Sequence, residues 1–209
     1  MIVSSRASAE CATVTPTRVA LADRPSRPHR SILPNPLGAE AGLGYFRAVI
    51  RDATADDWPA IWPIYAQIVR AADTFSYDPA IGEDAAREMW MVRAPGRTTV
   101  AVDDDGTIVG TANMYANRPG PGDHVASGNY MVAAGRRGQG IGHALIDDSL
   151  RWAREAGFRS MQFNAVAESN TPAVKLYEQM GFVTVGRVPG AFRHPEQGEV
   201  GLLVMHRPL

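Results

Sequence analysis

The stretch YMVAAGRRGQGIGHALIDDSLRWAREAGF, residues 130–158, joins the end of an apolar strand pattern to a helix pattern through a run of glycines. Gly138, Gly140 and Gly142 stand beside Arg136 and Arg137. The first turn of a helix has N–H groups without intrahelical partners, and its dipole favours anions. Glycine lets the backbone approach a bulky ligand and permits positive φ. The run therefore suits a pyrophosphate, and Gly157 marks where the helix ends. A Walker A loop needs a Lys followed by Ser or Thr, and none follows here. A dinucleotide fingerprint could begin at Gly138-Gln139-Gly140, but its last glycine position is His143. The spacing is R-x-x-G-x-G, from Arg137 to Gly142. A glycine-rich turn that holds no ligand is the alternative reading.

Outward from this run the elements alternate. Downstream, Ser160 to Val166 reads as a strand. Asn170 can cap the next helix, with Pro172 tolerated in its first turn. That helix carries Ala173, Leu176, Tyr177 and Met180 on one face and closes at Gly181. Phe182 to Val188 reads as a strand, then a Pro/Gly/His loop, then a last strand near Glu199 to Arg207. Upstream, a first strand begins at Phe46 and leads to Thr54 and Asp57, a capping-box pair with Asp in place of Glu. Ile61, Tyr65, Ile68 and Val69 follow at helical spacing, and Pro63 should kink or delay that helix. A loop, DTFSYDP, precedes a weaker helix from Glu83 to Val92. TTVAVDDDGTIVGTANMY reads as a hairpin turning at Asp103–Gly106, and Val125 to Val132 as the strand before the glycine run. The order β α α β β β α β α β β predicts a mixed α/β domain of about seven strands and about four helices, with a crossover in the middle of one long sheet.

Composition bounds the function. Hydrophobic residues make up 45% of the 209, enough for a globular core, and the formal net charge is −1. That balance gives no reason to expect nucleic acid or a membrane surface as partner. One cysteine, Cys11, excludes an internal disulfide framework and a cysteine-rich metal site, so no metal is expected. No apolar run reaches the roughly 20 residues of a spanning helix. A cytoplasmic location is the expectation. The first 44 residues lack Phe, Tyr and Trp and contain Pro16, Pro25, Pro28, Pro34 and Pro36. They hold more arginine than acid and no continuous apolar stretch behind a basic start. Residues 1–45 are expected to be a disordered extension or the product of a start codon called too early, and 46–209 the domain.

YMVAAGRRGQGIGHALIDDSLRWAREAGF resembles the acetyl-coenzyme A motif of the GCN5-related N-acetyltransferases, in which a valine, here Val132, ends the strand before [QR]-x-x-G-x-[GA]. NAVAESNTPAVKLYEQMGF resembles that family's second motif, through Asn170, Ala173, Leu176, Tyr177, Gly181 and Phe182. Both occur in order, over about Val49 to Leu209. The resemblance implies a sheet whose two central parallel strands splay to admit the pantetheine arm of acetyl-CoA. It implies an acetyl transfer to an amine, with backbone groups of Met131, Val132, Arg137, Gly138, Gln139, Gly140, Ile141 and Gly142 and the side chains of Asn170 and Tyr177 at the donor. Tyr177 matches the acid that protonates the leaving thiolate; a plain core aromatic is the other reading. Asn170 matches a residue that orients CoA, and a plain helix cap is the other. Dimers are common among similar proteins, which makes a homodimer an expectation.

The chain also resembles phosphinothricin-type acetyltransferases at DTFSYDP. Their strand carries a glutamate base before the glycine loop, and that position here is Ser127. Asp123 and His124 lie near the start of the strand and could act through water, or be plain loop residues. MQFNAVAESN resembles the yeast proline-analogue N-acetyltransferases, which directs attention to Asn129 and Asn164 at the substrate; a buried amide satisfied by backbone is the alternative. Phe75, Tyr77 and Tyr115 are candidate pocket walls, and FRHPEQGE, with Arg193 and His194, a candidate closing loop. The leading expectation is a small-molecule amine acceptor, an amino acid or analogue. A protein N-terminus or lysine, and a non-catalytic acyl-CoA sensor, are the rivals.

Overall fold

The computed structural model describes residues 49–209, so the expected extension at 1–45 lies outside the described residues. The described chain has seven strands: β1 (Val49–Asp52), β2 (Arg97–Val102), β3 (Ile108–Ala116), β4 (Val125–Val132), β5 (Ser160–Ala167), β6 (Val183–His194) and β7 (Gly198–Pro208). Its four α-helices are α1 (Trp58–Ala71), α2 (Glu83–Trp90), α3 (Ile141–Glu155) and α4 (Thr171–Gln179). The strands form one sheet in the order β1-β2-β3-β4-β5-β7-β6. All described neighbours are antiparallel except β4 and β5, which are parallel and joined by the α3 crossover.

Strand alternation divides the core. Val100 and Met131 face the side covered by α1 and α2, with Ile61, Tyr65 and the fully buried Trp90. Ala101, Ala112 and Met114 pack instead on Ile141 and Leu145 of α3. In the second half of the sheet Met161, Phe163 and Met205 pack with Ile146 and Leu150, Met180 and Phe182.

Two local expectations change. Pro63 lies inside α1 without delaying it. One missing N–H is outweighed by burial of Ile61, Ile64, Tyr65, Ile68 and Val69 along the same helix. The strand expected to stop at Val188 continues through Pro189 and Gly190 to His194, absorbing them as an irregularity between Val188 and Phe192. Phe192–His194 is therefore strand, not loop. Among the described residues no helix is long and apolar enough to cross a membrane.

Candidate functional site

β4 and β5 pair only at Val125–Ser160 and Ala126–Met161. Past Ala126 the two strands part, while β4 keeps its pairing with β3 as far as Val132. The parted edges open a cleft of about 270 Å³ in the middle of the sheet. The α1–α2 loop contributes Phe75 and Tyr77 to its wall, β3 contributes Tyr115, and β4 contributes Ser127 and Asn129. Asn164 comes from β5, Asn170 and Tyr177 from the start and face of α4. Backbone N–H and C=O groups on the parted edges have no cross-strand partner there, which suits an extended ligand.

At its upper end β4 runs into the glycine loop. Gly138 and Gly140 adopt φ of 77° and 82°, and a Cβ at either would meet nothing within 4 Å. Gly140 caps α3 in the left-handed region, so the first-turn N–H groups of that helix, from Ile141 on, point out of its end. Gly142 serves closeness: a Cβ there would lie 3.3 Å from Leu176 on α4. The Arg136 guanidinium donates to buried Asp103 at 2.8 Å, which ties the loop to the β2–β3 turn. Arg137, Gly138 and Gln139 are exposed. The side chains of Met131 and Ile141 are buried in the core, so at this site those residues offer backbone only; Val132 is half-buried.

The cleft's polarity is set from below. Asn113 Nδ2 donates to the Trp90 carbonyl at 3.1 Å. A carbonyl can only accept, so Asn113 must present its oxygen to Asn129, whose Nδ2 donates to it at 2.9 Å and to the Tyr115 hydroxyl at 3.2 Å. Both Asn129 amide hydrogens are thereby used, and its oxygen is left as an acceptor facing the cleft. Asn164 is held separately: its Nδ2 donates to Asn117 Oδ1 at 2.6 Å, and its oxygen accepts from Gln162 Nε2 at 2.8 Å.

Asn170 serves as a cap, its oxygen accepting from the Ala173 N–H at 3.4 Å, while it also lines the cleft. Tyr177 packs on Phe163, centroids 4.6 Å apart, and near Phe182 at 5.9 Å. Burial pushes its phenol above the ordinary value, so it stays protonated at neutral pH. Burial does the same to Tyr77 and Tyr130.

Phe75, Tyr77, Tyr115, Ser127, Asn129, Asn164, Asn170 and Tyr177 are thus brought to one cleft. Asp123 and His124 are exposed at the start of β4 and do not line it. Arg193 and His194 also lie elsewhere: Arg193 faces Glu199 at 3.9 Å, and His194 Nδ1 accepts from the N–H groups of Glu196 and Gln197 in the β6–β7 turn. The sequence reading missed Asn113, Asn117 and Tyr130. The period-two run Asn113-x-Tyr115-x-Asn117, at the end of β3 and one residue past it, was the available signal. Among the described residues no group of His, Cys, Asp or Glu could hold a metal ion.

The model of the acetyltransferase (GNAT) family matches residues 48–182. N-acetyltransferase aca1 of Schizosaccharomyces pombe is 31% identical over 100 residues, 48% of each chain. Phosphinothricin N-acetyltransferase of Alcaligenes faecalis is 26% identical over 164 residues, 77% of this chain and 82% of that protein. The solved structure of a GCN5-related N-acetyltransferase from Kribbella flavida is 57% identical, with a TM-score of 0.75, over 77% of this chain and 96% of that one. The chain spans about half or less of the length of the first curated relatives it matches.

Proposed function

The chain belongs to the acetyltransferase (GNAT) family, and from that premise we propose that it transfers an acetyl group from acetyl-CoA to the amine of a small molecule. The observation that carries this reading is the parting of β4 from β5 after Ala126, with the glycine loop at one end of β4 and the Tyr177 ring against the opening. Acetyl-CoA fits what is there. The positive-φ glycines leave open space before a helix N-terminus for the pyrophosphate. Arg137, Gly138, Gln139 and Gly142, with the backbone of Ile141, would hold it. The pantetheine arm would lie along β4, against the backbone of Met131 and Val132, and an N–H there would polarise the thioester carbonyl. Asn170 would orient the arm while capping α4. Tyr177 would give its proton to the departing thiolate.

Phe75, Tyr115 and Ser127 would shape the acceptor side, and Asn129 and Asn164 would position the amine. An amino acid or analogue is the acceptor the sequence favours. Among the described lining residues no Lys or Arg pairs with a carboxylate, so amides and backbone N–H groups would have to hold one. Cytoplasmic operation belongs to the same reading, since acetyl-CoA must be supplied.

The test is an acceptor panel of amino acids, simple amines and short peptides, read by release of the CoA thiol. Thiol release with a small amine is expected. Absence of acetyl-CoA binding together with no release overturns the reading, and release with peptides alone moves the acceptor to a protein.

A further inference from the structure

The part of the cleft facing the acceptor is lined, among the described residues, by no carboxylate, imidazole, ammonium or guanidinium. We infer that the acceptor enters this cleft as its uncharged free base, and that its class is a small, weakly basic amine on a flat or apolar body. The inference rests on the acetyl-transfer reading above and deepens it.

Among the described residues, the charged side chains of the surrounding elements stay out of the cleft. The α1–α2 loop brings Phe75 and Tyr77, stacked with centroids 5.3 Å apart; Asp73 and Asp78 of that loop do not line the cleft, and Asp78 is exposed and accepts from the Ala80 N–H. β3 brings Tyr115, and β4 brings Ser127, Asn129 and Tyr130. β5 brings Asn164 and no ionisable side chain. Glu168, just past β5, is engaged by Arg187 at 2.7 Å and by the Gly201 N–H. Those donors hold its carboxyl down at about 2, so it takes up no proton at neutral pH. On α4, Tyr177 lines the cleft, while Lys175 is exposed. The β3–β4 loop keeps Arg118, Asp123 and His124 exposed and away from it.

An ammonium brought here would lose water and gain no counter-charge, which disfavours it strongly. A neutral amine meets what the cleft does present: the Asn129 oxygen, aimed by Asn113 and the Trp90 carbonyl, accepts one amine hydrogen. The transfer then balances without a base that keeps a proton. The C–N bond forms and the C–S bond breaks. One proton leaves nitrogen and one reaches sulfur through the Tyr177 hydroxyl, which ends as it began. The stacked Phe75 and Tyr77 rings provide a surface for a flat body.

The test uses acetyl-CoA with phenethylamine and its β,β-difluoro analogue, near-equal in shape and differing in basicity. kcat/KM is measured against pH by thiol release. The rising limb is expected to move to lower pH by the full difference between the two amines' own pKa values, so the less basic amine is favoured at neutral pH. A limb at the same pH for both amines would show a base belonging to the enzyme and overturn the inference alone. Acetylation of free amino acids with neither phenethylamine accepted would also overturn it. If no acceptor in the earlier panel releases thiol, the acetyl-transfer reading falls, and this inference with it.

Discussion

The Asn129 amide donates to the Asn113 side-chain oxygen at 2.9 Å, joining two neighbouring strands at the floor of the cleft. Asn113 is itself 1% exposed and donates to the Trp90 carbonyl. Asn113→Ala removes its bonds to the Trp90 carbonyl and to Asn129, while that carbonyl still accepts from the Thr98 hydroxyl and the Val92 N–H, so stability is expected to fall by about 0.5–1.5 kcal/mol per lost bond. Denaturant unfolding checks this, and an unchanged midpoint would mean that the Asn113 amide adds nothing to the stability of the cleft floor.

Gly128 makes the same floor narrow. A Cβ there would stand 2.9 Å from the Asn113 carbonyl and 3.1 Å from the Tyr130 hydroxyl. The backbone oxygen cannot rotate away, so Gly128→Ala should force β4 apart from β3 at a cost of about 1–3 kcal/mol. Thermal unfolding measures it, and a melting temperature equal to wild type would count against so tight a floor.

Gly140 separates conformation from charge. At φ 82° an alanine is strained by roughly 1–2 kcal/mol, while a glutamate adds an anion where the pyrophosphate would sit. Gly140→Ala should weaken acetyl-CoA binding modestly and Gly140→Glu should abolish it. Calorimetry that finds equal affinities for the two variants would move the pyrophosphate away from this loop.

Tyr177→Phe keeps the ring that packs on Phe163 and removes the proton donor. Turnover should fall by about 10²–10⁴-fold, with acetyl-CoA affinity nearly unchanged. Wild-type turnover would leave Tyr177 as a packing residue only.

Acid stability should report Asp57. Its carboxyl accepts two bonds from Arg51, both at 2.7 Å, and another from the Thr54 N–H, which together hold its pKa down at about 2. A carboxylate depressed in the folded state stabilises it above the unfolded pKa, and the benefit is lost as pH falls from about 4 towards 2. Asp57→Asn should cost about 1–2 kcal/mol at neutral pH and flatten the stability profile in that window. A variant with the wild-type acid profile would contradict the assignment.

The order of elements was legible because each depends on local pattern. The Asp103–Gly106 turn, the Thr54–Asp57 box and the Asn170 cap all appear where short-range hydrogen bonds put them. Pro63 and the Pro189–Gly190 stretch misled because propensity is weak beside burial and cross-strand pairing. Asn113, in β3, and Asn117, just past its end, escaped notice because an asparagine says nothing by itself about the amide opposite.

What the sequence by itself determined is the local frame: R-x-x-G-x-G before one helix, then the Asn170 cap of the next helix and Tyr177 seven residues further on. Backbone geometry there depends on residues adjacent in the chain, so spacing suffices to read it. Only the tertiary structure decided the cleft. The parting of β4 from β5, the chain of hydrogen bonds from the Trp90 carbonyl through Asn113 to Asn129, the separate Asn117–Asn164–Gln162 chain and a lining that, among the described residues, holds no Lys, Arg, His, Asp or Glu all arise from elements far apart in sequence. Their hydrogen bonds are fixed by packing across the sheet, and no local spacing encodes them.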